Sequence, residues 1–553
     1  MPFTLGSFLP DENFFDFFAS IDNHFVVLMS QLSRTINQLS HSRYAAPLLS
    51  GALLGLSFPS YPFIRLEIIA WVALVPLLIS LRTVEKPGEL FRRVYLAMLL
   101  FCSISLWWVS LATFPGGILT IVAQALFLTV PLFLFFAVKK MAGYRFALFS
   151  LPFFWVGWEW AYMQQDLSLG WLTLGNSQAN LNLMIQYADL VGVWGVSFWL
   201  LCFNVLVVLS LTGSKKEVIS SVAIMALMVV APLLYAKVII SAEGGRAEKE
   251  SGLRVTLVQP DINPHEKWAE YNSAEIMVRY YRMTGKAVRG NRPELVIWPE
   301  TAIPFPILES AYADDLHLLH FALREWNTVL LTGFIDIAGD SKQHVESYNA
   351  SMLLEPGSAV PQIYHKMRLV PFAERVPYID YFPWLGNLTF SLSGIRGWGR
   401  GRDASVMEFS SPGHKRVVIA NIICYESIFP ALVSEFVRKG ARLLTLVTND
   451  GWYGTSYGPY QHLAIGRMRC IENRRAMARC ANTGLTVVLD KFGRTIAEVP
   501  WWQERCLTAE VPLESRMTFY TTHPDLLPKI AAALSALFFV VAFVKSRRGE
   551  RAE

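Results

Sequence analysis

The sequence of 553 residues contains little charge. Only 17% of the residues are Asp, Glu, Lys or Arg, against about 25% in typical soluble proteins, whereas 53% are apolar. This composition argues against a wholly soluble enzyme. The stretch from 241 to 526 nevertheless carries most of the charged residues and most of the proline and glycine, which argues against a membrane bundle with nothing attached. The sequence therefore predicts membrane spans joined to one large domain exposed to water.

Cysteine is scarce, since the chain has six cysteines, too few for a disulfide scaffold. Two of them, Cys102 and Cys202, fall within apolar runs and are typical of small buried side chains. The four others stand in the polar stretch without the CxxC or Cys/His spacing of a zinc site, and they are Cys424, Cys470, Cys480 and Cys506. We therefore expect no structural metal, no cofactor and no essential disulfide.

Apolar residues form eight runs that are long enough, or nearly long enough, to cross a bilayer. The runs lie near 45–62, 64–81, 94–112, 117–138, 144–163, 190–212, 219–240 and 527–544. Pro59 and Pro62 interrupt the first run, which is also compatible with a re-entrant or interfacial segment. The first run comes after some forty mixed residues rather than after a short basic stretch, so we expect no cleaved signal peptide. The sequence thus predicts a helical membrane bundle of about eight transmembrane helices.

The net charge of +5 is explained by topology rather than by nucleic acid, because the basic residues cluster in short loops beside apolar runs. Lys and Arg occupy alternate loops, and the stretch from Gln164 to Leu190 has none. The rule that cytoplasmic loops are basic places both termini inside and the polar domain outside the cytoplasm. The predicted division is 1–44 as a cytoplasmic or interfacial extension, 45–240 as spans one to seven, 241–526 as the extracytoplasmic domain, 527–545 as span eight and 546–553 as a cytoplasmic tail.

From Arg254 onward, short β-branched strands alternate with polar helical stretches, which indicates an α/β domain. The predicted strands are Arg254–Val258, Leu295–Trp298, Val329–Phe334, Ser351–Leu354, Val417–Ile423, Leu443–Thr448 and Thr486–Leu489. The predicted helices are Ala269–Arg289, Ala311–Trp326, Pro430–Arg438 and Tyr460–Asn482. No internal repeat is visible.

Three places in this domain carry residues suited to chemistry. Glu300 follows the strand that stops at Pro299, and strand ends are where α/β folds collect reactive groups. Lys366 stands in a segment in which cations and an acid flank an apolar turn. Cys424 ends an apolar strand, as in a strand-to-helix elbow that projects a nucleophile. Taken singly, each is compatible with a solvated loop charge or an inert buried thiol, so only their combination indicates catalysis.

This set of residues resembles the carbon-nitrogen hydrolase, or nitrilase, superfamily. The resemblance implies an αββα sandwich in which Glu300 is the general base, Cys424 the nucleophile and Lys366 a cation holding the oxyanion together with the backbone N–H of Tyr425. A thiol with an ordinary pKa of about 8.5 needs a base and a nearby cation to react at neutral pH. His462 is an alternative partner, which we interpret as packing behind the site.

The whole chain from about residue 45 resembles the bacterial apolipoprotein N-acyltransferase family. The matching stretches are Trp108–Phe114, Gln259–Ile262 with Trp268, Trp298–Pro304, Leu369–Phe372 with Glu374, Cys424–Glu426, and Thr448–Gly454 with Gly458–His462. The resemblance also implies supporting or substrate-binding roles for Trp268, Glu374, Tyr425 and Glu426. Ala373 and Arg375 depart from the family pattern, which commonly has a glycine and an aromatic residue there, and Ala476 replaces a usual proline.

The function that the resemblance implies is acyl transfer between two membrane lipids. A phospholipid, typically phosphatidylethanolamine, would acylate Cys424, and the amine of an S-diacylglyceryl-cysteine apolipoprotein would then take the acyl chain. Enzymes of this kind act at the bacterial inner membrane with the catalytic domain in the periplasm. Two alternatives remain at this point: a membrane-tethered amidase or nitrilase acting on a small amide, and a non-catalytic transporter or scaffold.

Overall fold

The computed structural model describes residues 42–244, 252–267, 273–341, 344–388 and 397–549. Most of the predicted amino-terminal extension, the last four residues of the predicted tail and Trp268 lie outside these residues. The described chain comprises a bundle of apolar helices and an α/β domain. The helices of the bundle are Ala45–Ser57, Val75–Ser80, Pro87–Leu106, Val109–Ala112, Phe114–Phe127, Val130–Ala142, Tyr144–Tyr162, Ala188–Thr212, Lys215–Gly244 and Leu526–Gly549.

Four helical segments of the described chain are long and apolar enough to cross a membrane, and they coincide with four of the eight predicted runs. They are Phe114–Ala142, Ala188–Thr212, Lys215–Glu243 and Leu526–Arg548. The first predicted run folds into only 13 helical residues, about 20 Å at 1.5 Å per residue, which is shorter than a bilayer core of about 30 Å. The second run is broken into the short pieces Glu67–Trp71 and Val75–Ser80. The total of eight spans therefore remains a prediction.

The last helix joins the bundle through a close backbone approach. A Cβ atom on Gly157 would lie 3.0 Å from the Cα of Ala532, so glycine lets these two helices meet. Small residues at such crossings are typical of helices packed in membranes, where van der Waals contact provides the attraction. The final helix is thereby held against Tyr144–Tyr162, although the whole α/β domain separates the two in sequence.

The α/β domain contains two six-stranded mixed sheets. The strands are β1 Leu253–Gln259, β2 Leu295–Ile297, β3 Val329–Ser341, β4 His344–Leu354, β5 Gln362–His365, β6 Met407–Ser411, β7 His414–Ile423, β8 Leu443–Thr448, β9 Met477–Ala481, β10 Thr486–Leu489, β11 Thr495–Val499 and β12 Arg505–Val511. The strand orders of the two sheets are β12-β1-β2-β3-β4-β5 and β11-β10-β9-β8-β7-β6. The domain helices are Pro264–Lys267, Ser273–Asn291, Ala313–Trp326, Pro430–Arg438, Gly458–Asn473 and Phe519–Thr522.

The two faces of the first sheet pack against different partners. On β1, Val255 and Leu257 belong to the core shared with the second sheet. The adjacent Val258 belongs to a separate core with Ile276 and Leu319, which come from the helices Ser273–Asn291 and Ala313–Trp326. This alternation with a period of two places helices outside and sheets inside. Pro430–Arg438 packs against β7 of the second sheet, which completes the αββα layers.

The predicted helix from Tyr460 to Asn482 is wrong in its second half. The helix ends at Asn473, because Arg474 adopts a left-handed conformation with φ +47°, and Met477–Ala481 then forms β9 inside the second sheet. Four of the five arginines in the predicted helix, Arg469, Arg474, Arg475 and Arg479, are buried. Arg479, for example, forms a bidentate ion pair with Asp450, in which both N···O distances are 2.9 Å. Charge therefore did not indicate exposure in this segment.

Buried polar contacts attach the α/β domain to the bundle. Gln461 Oε1 accepts hydrogen bonds from the indole nitrogens of Trp108 at 3.2 Å and of Trp171 at 2.8 Å. Arg474 donates to the Asp189 carboxylate at 2.9 and 3.0 Å. Because such groups are costly to bury unless they are paired, these bonds fix where the domain sits on the bundle.

Candidate active site

Cys424 stands at the carboxyl end of β7, where the chain turns sharply into the short helix Cys424–Ile428. Its backbone has φ +50°, which is uncommon for a residue other than glycine and is often found where a turn presents a reactive side chain. Cys424 is half-buried and lines a cavity, and the predicted strand-to-helix elbow at this position is confirmed.

A fully buried carboxylate, that of Glu426, holds this elbow in place. Its Oε2 accepts from the backbone N–H of Ile423 at 2.9 Å, and its Oε1 accepts from the Tyr364 hydroxyl at 2.6 Å and from the Met367 N–H at 2.7 Å. Burial raises the pKa of Glu426 to about 7, against the opposing effect of these donors. Glu426 therefore ties the turn of Cys424 to the segment that carries Lys366.

Lys366 is almost completely buried between two carboxylates. Its Nζ donates to Glu300 Oε1 at 3.0 Å and to Glu374 Oε1 at 2.8 Å. Asn349, on β4, donates its Nδ2 to the same two oxygens, each at 2.9 Å. Burial alone would lower the pKa of Lys366, but the two carboxylates outweigh it and hold this pKa well above the ordinary value. Lys366 is thus a fixed positive charge.

Glu300 follows β2 through a turn in which Thr301 has φ +49°. The turn lies so close to β3 that a Cβ atom on Gly333 would be 2.5 Å from the Thr301 nitrogen, so only glycine fits there. The buried Lys267 donates to the Thr301 carbonyl oxygen and hydroxyl, the latter at 3.1 Å. Burial lowers the pKa of Lys267 to about 7. The turn that carries Glu300 is therefore held by β3 and by Lys267.

The electrostatics around the Cys424 thiol keep it protonated at rest. Burial raises its pKa, the Glu300 carboxylate raises it further, and the Lys366 ammonium opposes them. A protonated thiol is a poor nucleophile, so a base must accept its proton as the new bond forms. Glu300 lines the same cavity and is held by Lys366, which suits it to that task.

The cavity in front of the thiol has a volume of about 650 Å³. A larger and mostly apolar groove of about 950 Å³ begins beside it and runs between helices of the bundle. The residues shared by the two are Val370, Ala373 and Tyr453. Residues of the groove that come from the bundle include Val109, Ala112, Gly116, Leu119, Ala123 and Phe127. A long apolar chain in the groove would therefore point its head toward Cys424.

A second buried network, behind the nucleophile, includes His462. Its Nε2 lies 2.8 Å from Ser427 Oγ and 3.2 Å from the carbonyl oxygen of Cys424. Arg479 donates to Nδ1 at 3.0 Å and is itself paired with Asp450. Because arginine only donates, this Nδ1 accepts and Nε2 carries the hydrogen. His462 thus contacts the backbone of the elbow rather than its thiol, as we interpreted from the sequence.

The residues with predicted supporting roles lie at different places. Glu374 shares Lys366 with Glu300, and Glu426 lies beneath the elbow. The Tyr425 hydroxyl donates to the carbonyl oxygen of Ser168, in the segment that follows the helix Tyr144–Tyr162. Asn349 was missed by the sequence analysis, because a single asparagine in a strand carries no recognisable signal.

Both parts of the chain are similar in sequence to known protein families. The profile described as Carbon-nitrogen hydrolase matches residues 254–519, and the one described as Apolipoprotein N-acyltransferase N-terminal domain matches residues 50–206. The apolipoprotein N-acyltransferase of Chlorobaculum tepidum is 56% identical over 93% of this chain and 98% of its own. That of Geobacter metallireducens is 30% identical over 90% of this chain and 95% of its own. Among solved structures, Saccharomyces cerevisiae Nit3 of the nitrilase superfamily aligns with a TM-score of 0.36 and 17% identity, covering 47% of this chain and 90% of its own.

Proposed function

The chain belongs to the apolipoprotein N-acyltransferase family, and we propose that it transfers an acyl chain from a phospholipid, through a thioester on Cys424, to the amino terminus of an apolipoprotein. The observation that carries this proposal is the junction of the two cavities at Val370, Ala373 and Tyr453. An enzyme for a small soluble substrate has no need of an apolar groove that extends into a membrane bundle.

In the first half-reaction, Glu300 accepts the proton of the Cys424 thiol while the sulfur attacks an ester carbonyl of the phospholipid. The resulting oxyanion is stabilised by the Lys366 ammonium and by the backbone N–H of Tyr425. Collapse of this intermediate breaks the ester C–O bond. The departing lysophospholipid oxygen takes the proton from Glu300, which leaves the acyl chain on sulfur and the carboxylate ready for a second cycle.

In the second half-reaction, the amine of the apolipoprotein attacks the thioester carbonyl. Glu300 accepts a proton from the attacking nitrogen and gives it to the departing Cys424 sulfur, so that the free thiol is restored. We propose phosphatidylethanolamine as the donor and an S-diacylglyceryl-cysteine apolipoprotein as the acceptor, which becomes triacylated. This finer assignment rests on the family resemblance.

The supporting residues act on the three central residues of the site, which are Glu300, Lys366 and Cys424. We assign to Glu374 the positioning of Lys366 and to Glu426 the positioning of the elbow, as their hydrogen bonds suggest. Tyr425 contributes its backbone N–H, and its ring lines the apolar groove. Trp268 keeps its proposed role in substrate binding.

The exposed aromatic residues Tyr381, Phe382 and Trp384 supply an apolar surface beside the site that suits contact with lipid.

The two alternative functions are less well supported. A membrane-tethered amidase would need the three central residues but not the apolar groove. A non-catalytic scaffold would need neither, and the burial of Lys366 between two carboxylates would serve no purpose in it. The names of the relatives favour acyl transfer over both.

The proposed reaction has two separable steps that are tested with the purified protein in lipid. Incubation with a phospholipid alone should add the mass of one acyl chain, and tryptic peptides should place it on Cys424. Addition of a diacylated lipopeptide should then remove this adduct and acylate the peptide amine. An amidase would form no lasting adduct from phospholipid, and release of free fatty acid without peptide acylation would contradict the transferase function.

We also propose eight spans, with both termini in the cytoplasm and the catalytic domain in the periplasm. The support is the alternation of basic loops: Lys139, Lys140 and Arg145 lie on one side, whereas the stretch from Gln164 to Leu190 has no Lys or Arg. The protein is then a multi-pass protein of the bacterial inner membrane, and its domain lies on the side where exported lipoproteins are anchored.

This orientation predicts that a protease added to intact spheroplasts cuts the domain between residues 252 and 518. The amino-terminal extension should stay intact until the membrane is permeabilised. A tag after Glu553 serves as the control for a cytoplasmic site. Protection of the domain in intact spheroplasts, together with cleavage of the tag, would reverse the orientation and exclude an exported lipoprotein as the substrate.

A further inference from the structure

A third cavity, with a volume of about 390 Å³, lies beside the active site and is lined by three arginines: Arg368, Arg375 and Arg400. Asp166 is the only carboxylate among its described lining residues. The cavity shares Pro371 with the apolar groove, so the two spaces are adjacent. An excess of positive charge therefore borders the place where an apolar chain would enter.

The three guanidinium groups differ in how fully they are paired. Arg375 donates to the carbonyl oxygen of Trp398 at 2.8 Å and to Asp380 at 2.5 Å, so its side chain is engaged. Arg400 has long contacts of 3.3 Å to Asp166 and to the Met367 carbonyl oxygen.

Arg368 differs from both, because its guanidinium lies over the ring of Phe429, 4.9 Å from the ring centre. Among the described residues, no carboxylate lies within 4.0 Å of its guanidinium nitrogens, although its backbone N–H donates to Glu426 Oε1 at 3.3 Å. Arg368 and Arg400 therefore have donors available for a ligand.

Arg368 and Arg400 are close enough for their positive charges to repel each other. Burial lowers the pKa of Arg368 and the charge of Arg400 lowers it further, and the more weakly acting charges of Glu426, Tyr425 and Asp166 do not cancel the two. A guanidinium nevertheless remains protonated in proteins, so both charges persist. An anion between them would remove this repulsion, and planar guanidinium groups match the oxygens of a phosphate particularly well.

The position of the cavity indicates where such a phosphate comes from. Gln165, Asp166 and Ser168 directly follow the helix Tyr144–Tyr162, whose end carries Trp158, Trp160 and Tyr162. Aromatic residues at a helix end mark the level of the lipid headgroups. The other wall follows the active site in sequence, since Arg368 comes two residues after Lys366. The cavity thus lies at headgroup level, next to the reacting groups.

We propose that Arg368 and Arg400 bind the phosphodiester of the donor phospholipid, while one of its acyl chains occupies the apolar groove. This inference rests on the proposed function, because it presumes a phospholipid donor. It adds that the enzyme recognises the phosphate of the donor as well as its acyl chain. The ester carbonyl would then be held between two fixed points, the anion and the chain.

The test compares two acyl donors that carry the same chain, a phospholipid and a p-nitrophenyl ester, which has no phosphate. In Arg368→Gln and Arg400→Gln, the KM for loading Cys424 from phospholipid should rise by about 10- to 100-fold, as expected for loss of a charge-assisted hydrogen bond. Loading from the p-nitrophenyl ester should be unchanged. Arg368→Lys keeps the charge and should recover part of the affinity. The matched control is Arg416→Gln, an exposed arginine that pairs with Glu408 far from this cavity.

Each other outcome rejects the inference in a recognisable way. Equal loss with both donors would show that the arginines only support the fold of the site. Unchanged loading from phospholipid in the double variant, combined with inhibition of the wild type by inorganic phosphate, would assign the site to free phosphate. Failure of the proposed function itself would look different, because the wild type would then form no adduct with either donor.

Discussion

Replacing Cys424 with alanine is expected to abolish both acyl loading and acyl transfer, while the protein still inserts and folds. The loss should be complete, because the described cavity offers no second thiol to take over the bond to the acyl chain. The fold should tolerate the change, since the left-handed backbone at φ +50° is similarly unfavourable for cysteine and alanine. Glu426 also holds the elbow through its own side chain and the backbone of Ile423, which the substitution leaves in place.

Intact-mass analysis after incubation with phospholipid measures the loading, and acylation of a diacylated lipopeptide measures the transfer. The matched control is Cys506→Ala, which removes a half-buried thiol on β12, away from the cavity. This control should load and transfer as the wild type does. Full transfer by the Cys424→Ala variant would mean that another group is the nucleophile, and the proposed mechanism would have to be abandoned.

The strands that lead to the site were predictable from the sequence because they are short, apolar and buried on both faces. The predicted strand Leu443–Thr448 has the same bounds in the structure, and Val417–Ile423 ends at the same residue. Since the reactive residues follow such strands, Glu300 and Cys424 were identified together with them. Four further strands that were not predicted, β5, β6, β11 and β12, are partly exposed and mix polar with apolar side chains, so no clear period distinguishes them from loops.

The polar residues of the site were harder to predict, because their roles depend on strand register. Asn349 reaches Glu300 and Glu374 because β4 pairs antiparallel with β5, with Ala350 opposite His365. Nothing in the local sequence fixes that register. The buried arginine Arg479 misled the sequence analysis for a related reason, since its partner Asp450 lies 29 residues away along the chain. Long-range ion pairs of this kind reverse the usual link between charge and exposure.

Replacing either of the other two central residues should slow acyl loading by orders of magnitude without unfolding the protein. Glu300→Gln keeps the size of the side chain and its acceptor oxygen for Lys366, but it removes the base. The expected loss is about 10²- to 10⁴-fold, which is the usual contribution of a positioned acid–base group. Lys366→Met removes an oxyanion donor, which corresponds to about 10²- to 10³-fold. It also leaves Glu300 and Glu374 close together without their shared cation.

Single-turnover loading of Cys424 from a labelled phospholipid, followed over a range of pH, separates the two roles. In Glu300→Gln the loading rate should rise with pH, because the thiolate must then form without a protein base. The fraction of Cys424 present as thiolate grows as the pH approaches the raised pKa of the thiol. The wild type should lack this steep rise, since Glu300 removes the proton during attack. Lys366→Met should stay slow at all pH values, because a thiolate formed by hydroxide still has no cation to stabilise the oxyanion. A wild-type loading rate in either variant would reject the role of that residue, and identical pH profiles would show that the two do not act as base and oxyanion donor.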